Sequence, residues 1–145
     1  GIKIVKIVKI LVKNKIPVMG HLGILPQSTK GKFKSKGKSS KEIKEIVRDS
    51  KLLENAGVFS IVLECVEKKL AKKITRLISI PTIGIGSSNN CDGQVLVTDD
   101  ILGLTDSKIK FVKKFSDVKK IISDGVKKFK QEVRSKKYPS KKYSY

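Results

Sequence analysis

The stretch Ser60-Ile61-Val62-Leu63-Glu64-Cys65-Val66 constrains this chain more than any other. An apolar, β-branched run leads straight into a carboxylate. A short run without polar alternation reads as a strand buried on both faces, which is the habit of parallel sheets. Lysines crowd the rest of the chain, yet none lies between Lys51 and Lys68. A glutamate where a buried strand ends is costly unless it is paired or employed. In parallel α/β folds the carboxyl ends of the strands form the ligand-binding face. Glu64 is therefore the first candidate for chemistry. On pattern alone a second reading stands level with it: a surface glutamate capping the helix that starts near Glu67.

The flanking segments repeat the same grammar. From Ile2 to Lys13, lysines recur every three to four residues among apolar ones, which predicts a helix ended by Asn14. Ile16 to Gly23 reads as a strand entered through Pro17 and left through a glycine-framed histidine, His21. Ile24 to Ser28 is a loop containing Pro26, and residues 29–40 form a basic loop of Lys, Gly and Ser around Phe33. Ser39 and Glu42 have capping-box spacing. The helix they open carries Ile43, Ile46, Val47 and Leu53 on one face and stops at Gly57. Val66 to Leu77 is a further amphipathic helix with Leu70, Ala71, Ile74 and Leu77 inward. Ile80 to Gly86 is again a strand entered by proline and left by glycine. A polar turn, Ser87 to Gly93, leads into a short strand from Gln94 to Val97 that ends at Thr98-Asp99-Asp100. Asp117 to Val133 is the last helix, with Val118, Ile121, Ile122, Val126 and Phe129 inward, and residues 135–145 form a tail.

Strands alternating with helices predict βαβ units and a parallel α/β sheet. Four strands are too few to close a barrel. The chain has no methionine at position 1 and opens in a helix without a preceding strand. The expectation is one domain over residues 1–145 that forms the C-terminal half of something larger.

Charge bounds the partners. The net charge is +20, but all of the 33 basic residues except Arg48, Arg76 and Arg134 are lysines, spread over almost every segment. Specific nucleic-acid recognition favours arginine forks and aromatic platforms. Here there is no Trp, and Tyr138, Tyr143 and Tyr145 sit together near the C-terminus. Weak, sequence-blind polyanion binding follows from the charge; a specific nucleic-acid partner does not. No apolar run approaches the roughly 20 residues of a membrane span. Cys65 and Cys91 make neither a disulfide framework nor a CxxC pair, and a single histidine gives no zinc site, so the expected compartment is a reducing cytoplasm. Gly84-x-Gly86 is no dinucleotide fingerprint, because Asn89 stands where the third glycine would fall.

Several segments together carry a family resemblance. Pro17-Val18-Met19-Gly20-His21-Leu22-Gly23-Ile24-Leu25-Pro26-Gln27-Ser28 resembles the P-V-x-G-H-L-G-L-x-P-Q-S signature of the ketopantoate hydroxymethyltransferases. Val62 to Val66 is similar to their V-L-E-C-V segment. Ile80 to Gly86 with Asp92 to Val97 is similar to their I-P-T-I-G-I-G…D-G-Q-V-L-V. Lys110-Phe111-Val112-Lys113 resembles a P-K-F-V-K stretch, with Ile109 where proline is usual. The match runs in order along nearly the whole chain.

The resemblance implies a (β/α)8 TIM barrel of the phosphoenolpyruvate-mutase and isocitrate-lyase type, of which this chain holds about the last four β/α units. It implies transfer of a one-carbon unit from 5,10-methylenetetrahydrofolate to 3-methyl-2-oxobutanoate, giving 2-dehydropantoate for pantothenate and coenzyme A. It also implies a magnesium ion holding the keto acid, and homo-oligomers of decamer type. Glu64 matches the catalytic base that removes the C3 proton, work that suits a carboxylate in a dry pocket. The metal would steady the resulting enolate oxygen. His21 matches an active-site histidine that bonds the substrate carboxylate or keto oxygen. Gln27 and Ser28 shape the loop. The metal-binding aspartates lie upstream of Gly1 in the family's order, so no metal ligand is expected in this chain. Asp92 and Asp100 are read as organising the turn and the strand exit. Ser87 and Ser88 stand where Ala-Gly is usual and would narrow the rim there, and the lysines of Tyr138 to Tyr145 replace acidic residues. Three functions follow as alternatives: a transferase part active with its other half, an inactive or split-gene remnant, and a basic polyanion binder.

Overall fold

The computed structural model describes residues 4–25 and 35–145. The early part of the helix reading at Ile2 and Lys3, and the loop readings at Pro26, Gln27, Ser28 and Phe33, lie outside the described residues. The chain separates into two compact units, Gly1–Val95 with Ile109–Phe111, and Leu96–Lys108 with Val112–Tyr145.

The first unit is a parallel sheet with helices in alternation. α1 (Val5–Lys13) ends on Asn14, whose side-chain amide donates to the Ile10 carbonyl at 2.8 Å. β1 (Met19–Gly23) follows, shorter than the apolar run that contains it. α2 (Ser40–Asn55) starts where the capping spacing placed it: the Ser39 hydroxyl accepts the Glu42 N–H at 3.2 Å. The Glu42 carboxylate reaches back to the N–H groups of Gly37 and Lys38, both at 3.1 Å. The helix stops in a Schellman turn, with Val58 N–H donating to Leu53 O and Gly57 at φ +89°. β2 (Ser60–Glu64) is followed by α3 (Lys68–Leu77) and β3 (Thr82–Ile85). β4 is only Gly93–Gln94, so the expected strand to Val97 is cut short. Val95 still donates to the Gly84 carbonyl, but the chain then leaves the sheet.

All pairings are parallel and the order is β1-β2-β3-β4. Helices alternating with parallel strands in consecutive order make this an α/β fold, arranged as in half of a TIM barrel. The core lies between the sheet and its helices: Leu22, Leu53, Ile61, Leu63, Leu70, Ala71 and Ile74 are buried there, with Ile43, Ile46 and Val47 packed against them. Leu77 departs from the expected inward face and is exposed, because α3 has reached its last turn there. Alternation along the strands sets His21, Val62, Glu64, Ile83 and Ile85 on the opposite face of the sheet. His21, Val62 and Ile83 stand in one register row, Gly23, Glu64 and Ile85 in the next.

The second unit holds α4 (Thr98–Leu102) and α5 (Val118–Arg134). Thr98-Asp99-Asp100 therefore opens a helix and does not close a strand; Asp99 and Asp100 sit in a first turn, where carboxylates suit the helix dipole. Asp100 is buried and accepts the Thr105 hydroxyl. Asp117 caps α5 by accepting the Lys120 N–H. The expected inward face of α5 is not inward: Ile121, Ile122, Val126 and Phe129 are all exposed. Their spacing is helical as read, but no residue of α5 is buried. No described helix is long and apolar enough to cross a membrane.

Candidate active site

Two neighbouring strands build the site. His21 sits in the middle of β1 and Glu64 is the last residue of β2, both on the face opposite the helices. His21 Nε2 approaches Glu64 Oε2 to 3.1 Å. The contact lacks the alignment of a hydrogen bond, and Nε2, itself shielded from solvent, has no hydrogen-bond partner among the described residues. A buried ring nitrogen without a partner is expensive, and a catalytic or binding role is one reason such an atom persists. Glu64 is 9% exposed, with Val62 two residues before it and Ile85 opposite it in the register. The carboxylate thus stands on an apolar floor beside an imidazole. That arrangement can take a proton from carbon while a neighbouring N–H holds an oxygen.

The helix-capping alternative for Glu64 is decided by its neighbour. Glu67 is the cap of α3, its carboxylate accepting the N–H groups of Lys69 at 2.8 Å and Leu70 at 3.1 Å. Glu64 is left free of that duty.

The turn after Glu64 has features the sequence does not show. Cys65 has φ +52°, in the left-handed region that a side chain pays to enter, about 1–3 kcal/mol. Burial first, and the adjacent Glu64 charge second, push the Cys65 thiol up, which keeps it protonated and a poor nucleophile. No sequence signal marks that turn. Gly23 had one, the second glycine framing His21. At φ +106°, a Cβ on it would lie 2.0 Å from the Glu64 carbonyl oxygen. Glycine is what lets β1 end against the backbone of the candidate base.

Ser87 and Ser88 do not stand as bare hydroxyls on the rim. Ser88 is buried and its hydroxyl accepts the Asn90 N–H, while the Ser87 hydroxyl donates to the Val66 carbonyl. Asp92 is bonded to Thr82 at the start of β3, the opposite end of that strand from Ile85, which pairs with Glu64. Among the described residues no group of three or more His, Cys, Asp or Glu side chains is placed to hold a metal ion.

The sequence model of the family described as ketopantoate hydroxymethyltransferase matches residues 1–141. A 3-methyl-2-oxobutanoate hydroxymethyltransferase of Pelagibacter ubique (strain HTCC1062) is 61% identical over 145 residues, covering 100% of this chain and 56% of the relative. Proteins of the same name from Clostridium botulinum (strain 657 / Type Ba4) and Thermoanaerobacter sp. (strain X514) are 48% and 46% identical, each covering 100% of this chain and 54% of their own length. The chain spans about half the length of the curated relatives it matches. With the site's geometry and a match over nearly its whole length, the chain belongs to the ketopantoate hydroxymethyltransferase family.

Proposed function

We propose that this chain supplies the general base of a hydroxymethyl transfer from 5,10-methylenetetrahydrofolate to 3-methyl-2-oxobutanoate, giving 2-dehydropantoate. The observation that carries the reading is the Glu64 carboxylate, buried at the end of β2 and 3.1 Å from an unpartnered His21 nitrogen. Glu64 takes the C3 proton of the keto acid, and the electron pair of that C–H bond becomes the enolate. His21 Nε2 holds the substrate carboxylate or keto oxygen. Water displaces the two folate nitrogens from the one-carbon unit, both C–N bonds breaking to leave tetrahydrofolate. The enolate carbon adds to the resulting C=O carbon, and the oxygen takes the proton back from Glu64 to become the hydroxyl. Val62, Ile83 and Ile85 line the same face as the pair and supply apolar surface beside it.

A magnesium ion is the metal the family resemblance implies. One carboxylate beside one imidazole does not make an octahedral oxygen set, so the described residues do not fit the ion. Its ligands belong to residues outside this chain, and activity requires them. We further read the working protein as a cytoplasmic homo-oligomer without a specific nucleic-acid partner; the free cysteines and the exposed apolar stripe of α5 support that reading.

The deciding experiment is complementation of a pantothenate-requiring bacterial strain. Growth is expected when the chain is co-expressed with the portion of a relative that it does not cover, and not with the chain alone. Absence of growth with both pieces present and folded counts against the transferase reading.

A further inference from the structure

The one-carbon unit must be set free where the enolate can reach it, so the folate has to lie over the carboxyl ends of the strands, near Glu64. Its N10 is bonded to a p-aminobenzoyl ring, which carries an anionic glutamate on its other side. Flat rings are held by aromatic side chains, and carboxylate tails by lysine or arginine. Among its described residues the first unit has two phenylalanines and no tyrosine or tryptophan. Phe59 immediately precedes β2, at the end of the sheet away from Glu64. Phe111 is at the other end. It lies against Gly86, the residue after Ile85, which pairs in register with Glu64. A Cβ on Gly86, at φ +58°, would stand 2.6 Å from Phe111 Cγ and 2.9 Å from Cε1. Glycine lets one side of the ring settle on the main chain. Phe111 is nevertheless only half-buried, and its neighbour Lys110 is exposed. Both belong to the first unit, although the residues on either side of Ile109–Phe111 belong to the second. An aromatic ring left partly open at the carboxyl end of the sheet, with a cation next to it in the chain, has the two parts that a benzoyl-glutamate is recognised by.

We propose that Phe111 is the platform for the p-aminobenzoyl ring of the folate, and that Lys110 meets the glutamate carboxylate. That seat places N10 at the rim of β3, one strand from Glu64. The role rests on the proposed transfer, whose donor is this folate.

The test titrates tetrahydrofolate calorimetrically into the enzyme assembled with the portion of a relative that the chain does not cover. Phe111→Leu keeps the apolar bulk and is expected to weaken binding about tenfold. Phe111→Tyr keeps the ring and should bind as the natural chain does. Lys110→Ala should weaken tetrahydrofolate about threefold and leave tetrahydropteroate, which has no glutamate, unchanged. Deuterium exchange at C3 of 3-methyl-2-oxobutanoate, measured without folate, should be the same in all three variants. The proposal is overturned if the leucine variant binds tetrahydrofolate undiminished, or if the tyrosine variant binds as weakly as leucine. It is equally overturned if C3 exchange or folding falls together with binding, because that marks a prop for the rim and not a platform. Loss of tetrahydropteroate binding in Lys110→Ala removes the lysine from the seat. Binding requires no turnover, so the two readings fail separately. An assembled enzyme that binds tetrahydrofolate through Phe111 yet never exchanges C3 contradicts Glu64 as the base and supports the platform. One that exchanges C3 but does not bind tetrahydrofolate overturns the platform alone.

Discussion

Thr82 and Asp92 bind each other at the start of β3: the Asp92 carboxylate accepts the Thr82 N–H at 2.8 Å and the Thr82 hydroxyl at 2.9 Å. Thr82 is fully buried and its Oγ1 lies 2.8 Å from Thr75 Oγ1, so the pair pins the β3–β4 turn to α3. These bonds, the Thr82 N–H foremost, hold the Asp92 carboxyl below the usual carboxylate range. A depressed folded-state value means stability that is present above the ordinary aspartate value near 4 and is lost as pH falls through the lower one. The Lys38 N–H acts on Glu42 in the same direction. Thermal unfolding followed from pH 6 to pH 2.5 should therefore show a steeper loss for the natural chain than for Asp92→Asn. Parallel curves would contradict this account.

Replacing the candidate base isolates the chemistry. In an enzyme assembled with the portion of a relative that the chain does not cover, Glu64→Gln should slow deuterium exchange at C3 of 3-methyl-2-oxobutanoate by about 10²–10⁴-fold. The shape is kept, so the far-ultraviolet circular dichroism should not change. His21→Ala should cost less, about tenfold or more in kcat/KM, since it removes an oxygen partner and not the base. Undiminished exchange in the glutamine variant would take the proton-transfer role from Glu64.

Gly23→Ala places a methyl group 2.0 Å from the Glu64 carbonyl oxygen in a backbone conformation that alanine avoids. The expected loss is more than about 1 kcal/mol, read from urea unfolding midpoints. Because the collision is with the strand end that carries the base, C3 exchange in the assembled enzyme should fall further than stability alone accounts for. A variant of normal stability and normal exchange would show that the strand ends can part freely.

The open face of the sheet calls for cover. Val62, Ile83 and Ile85 are only half-buried, and the outer edges of β1 and β4 have no strand beside them among the described residues. Unpaired edges and apolar faces are liabilities in a solitary chain. Mixed with the portion of a relative that it does not cover, the chain should unfold at a higher temperature than alone. A cooperative, monomeric transition that the added portion leaves unmoved would mean that the four strands suffice by themselves.

Much of the fold was legible because its elements are local. Ser39 with Glu42, Gly57, and the apolar positions of α2 each act within one or two turns of chain, and each stands where the spacing put it. The parallel sheet followed from alternation alone. Misreadings came where tertiary context decides. The helical spacing of Ile121, Ile122, Val126 and Phe129 says that a face exists, but not what covers it. Val95 to Val97 has strand composition, yet the chain turns from the sheet into α4 there. At the site, Glu64 and His21 stood out through their motifs. The Cys65 turn did not, since a left-handed cysteine is imposed by neighbours distant in sequence and leaves no mark on the residue itself.

The consecutive order of the strands has a consequence for how such a protein is put together. Neighbouring strands in the sheet are neighbours in the chain, so the β1–β2 and β2–β3 closures each span a single helix and its turns, and the β3–β4 closure spans a turn alone. Short closures cost little chain entropy and favour rapid, stepwise growth. They also mean that no connection reaches across the sheet to tie distant strands. A boundary between two β/α units therefore severs one link of the chain and no thread of the weave, and two polypeptides can divide such a scaffold where one would otherwise run through.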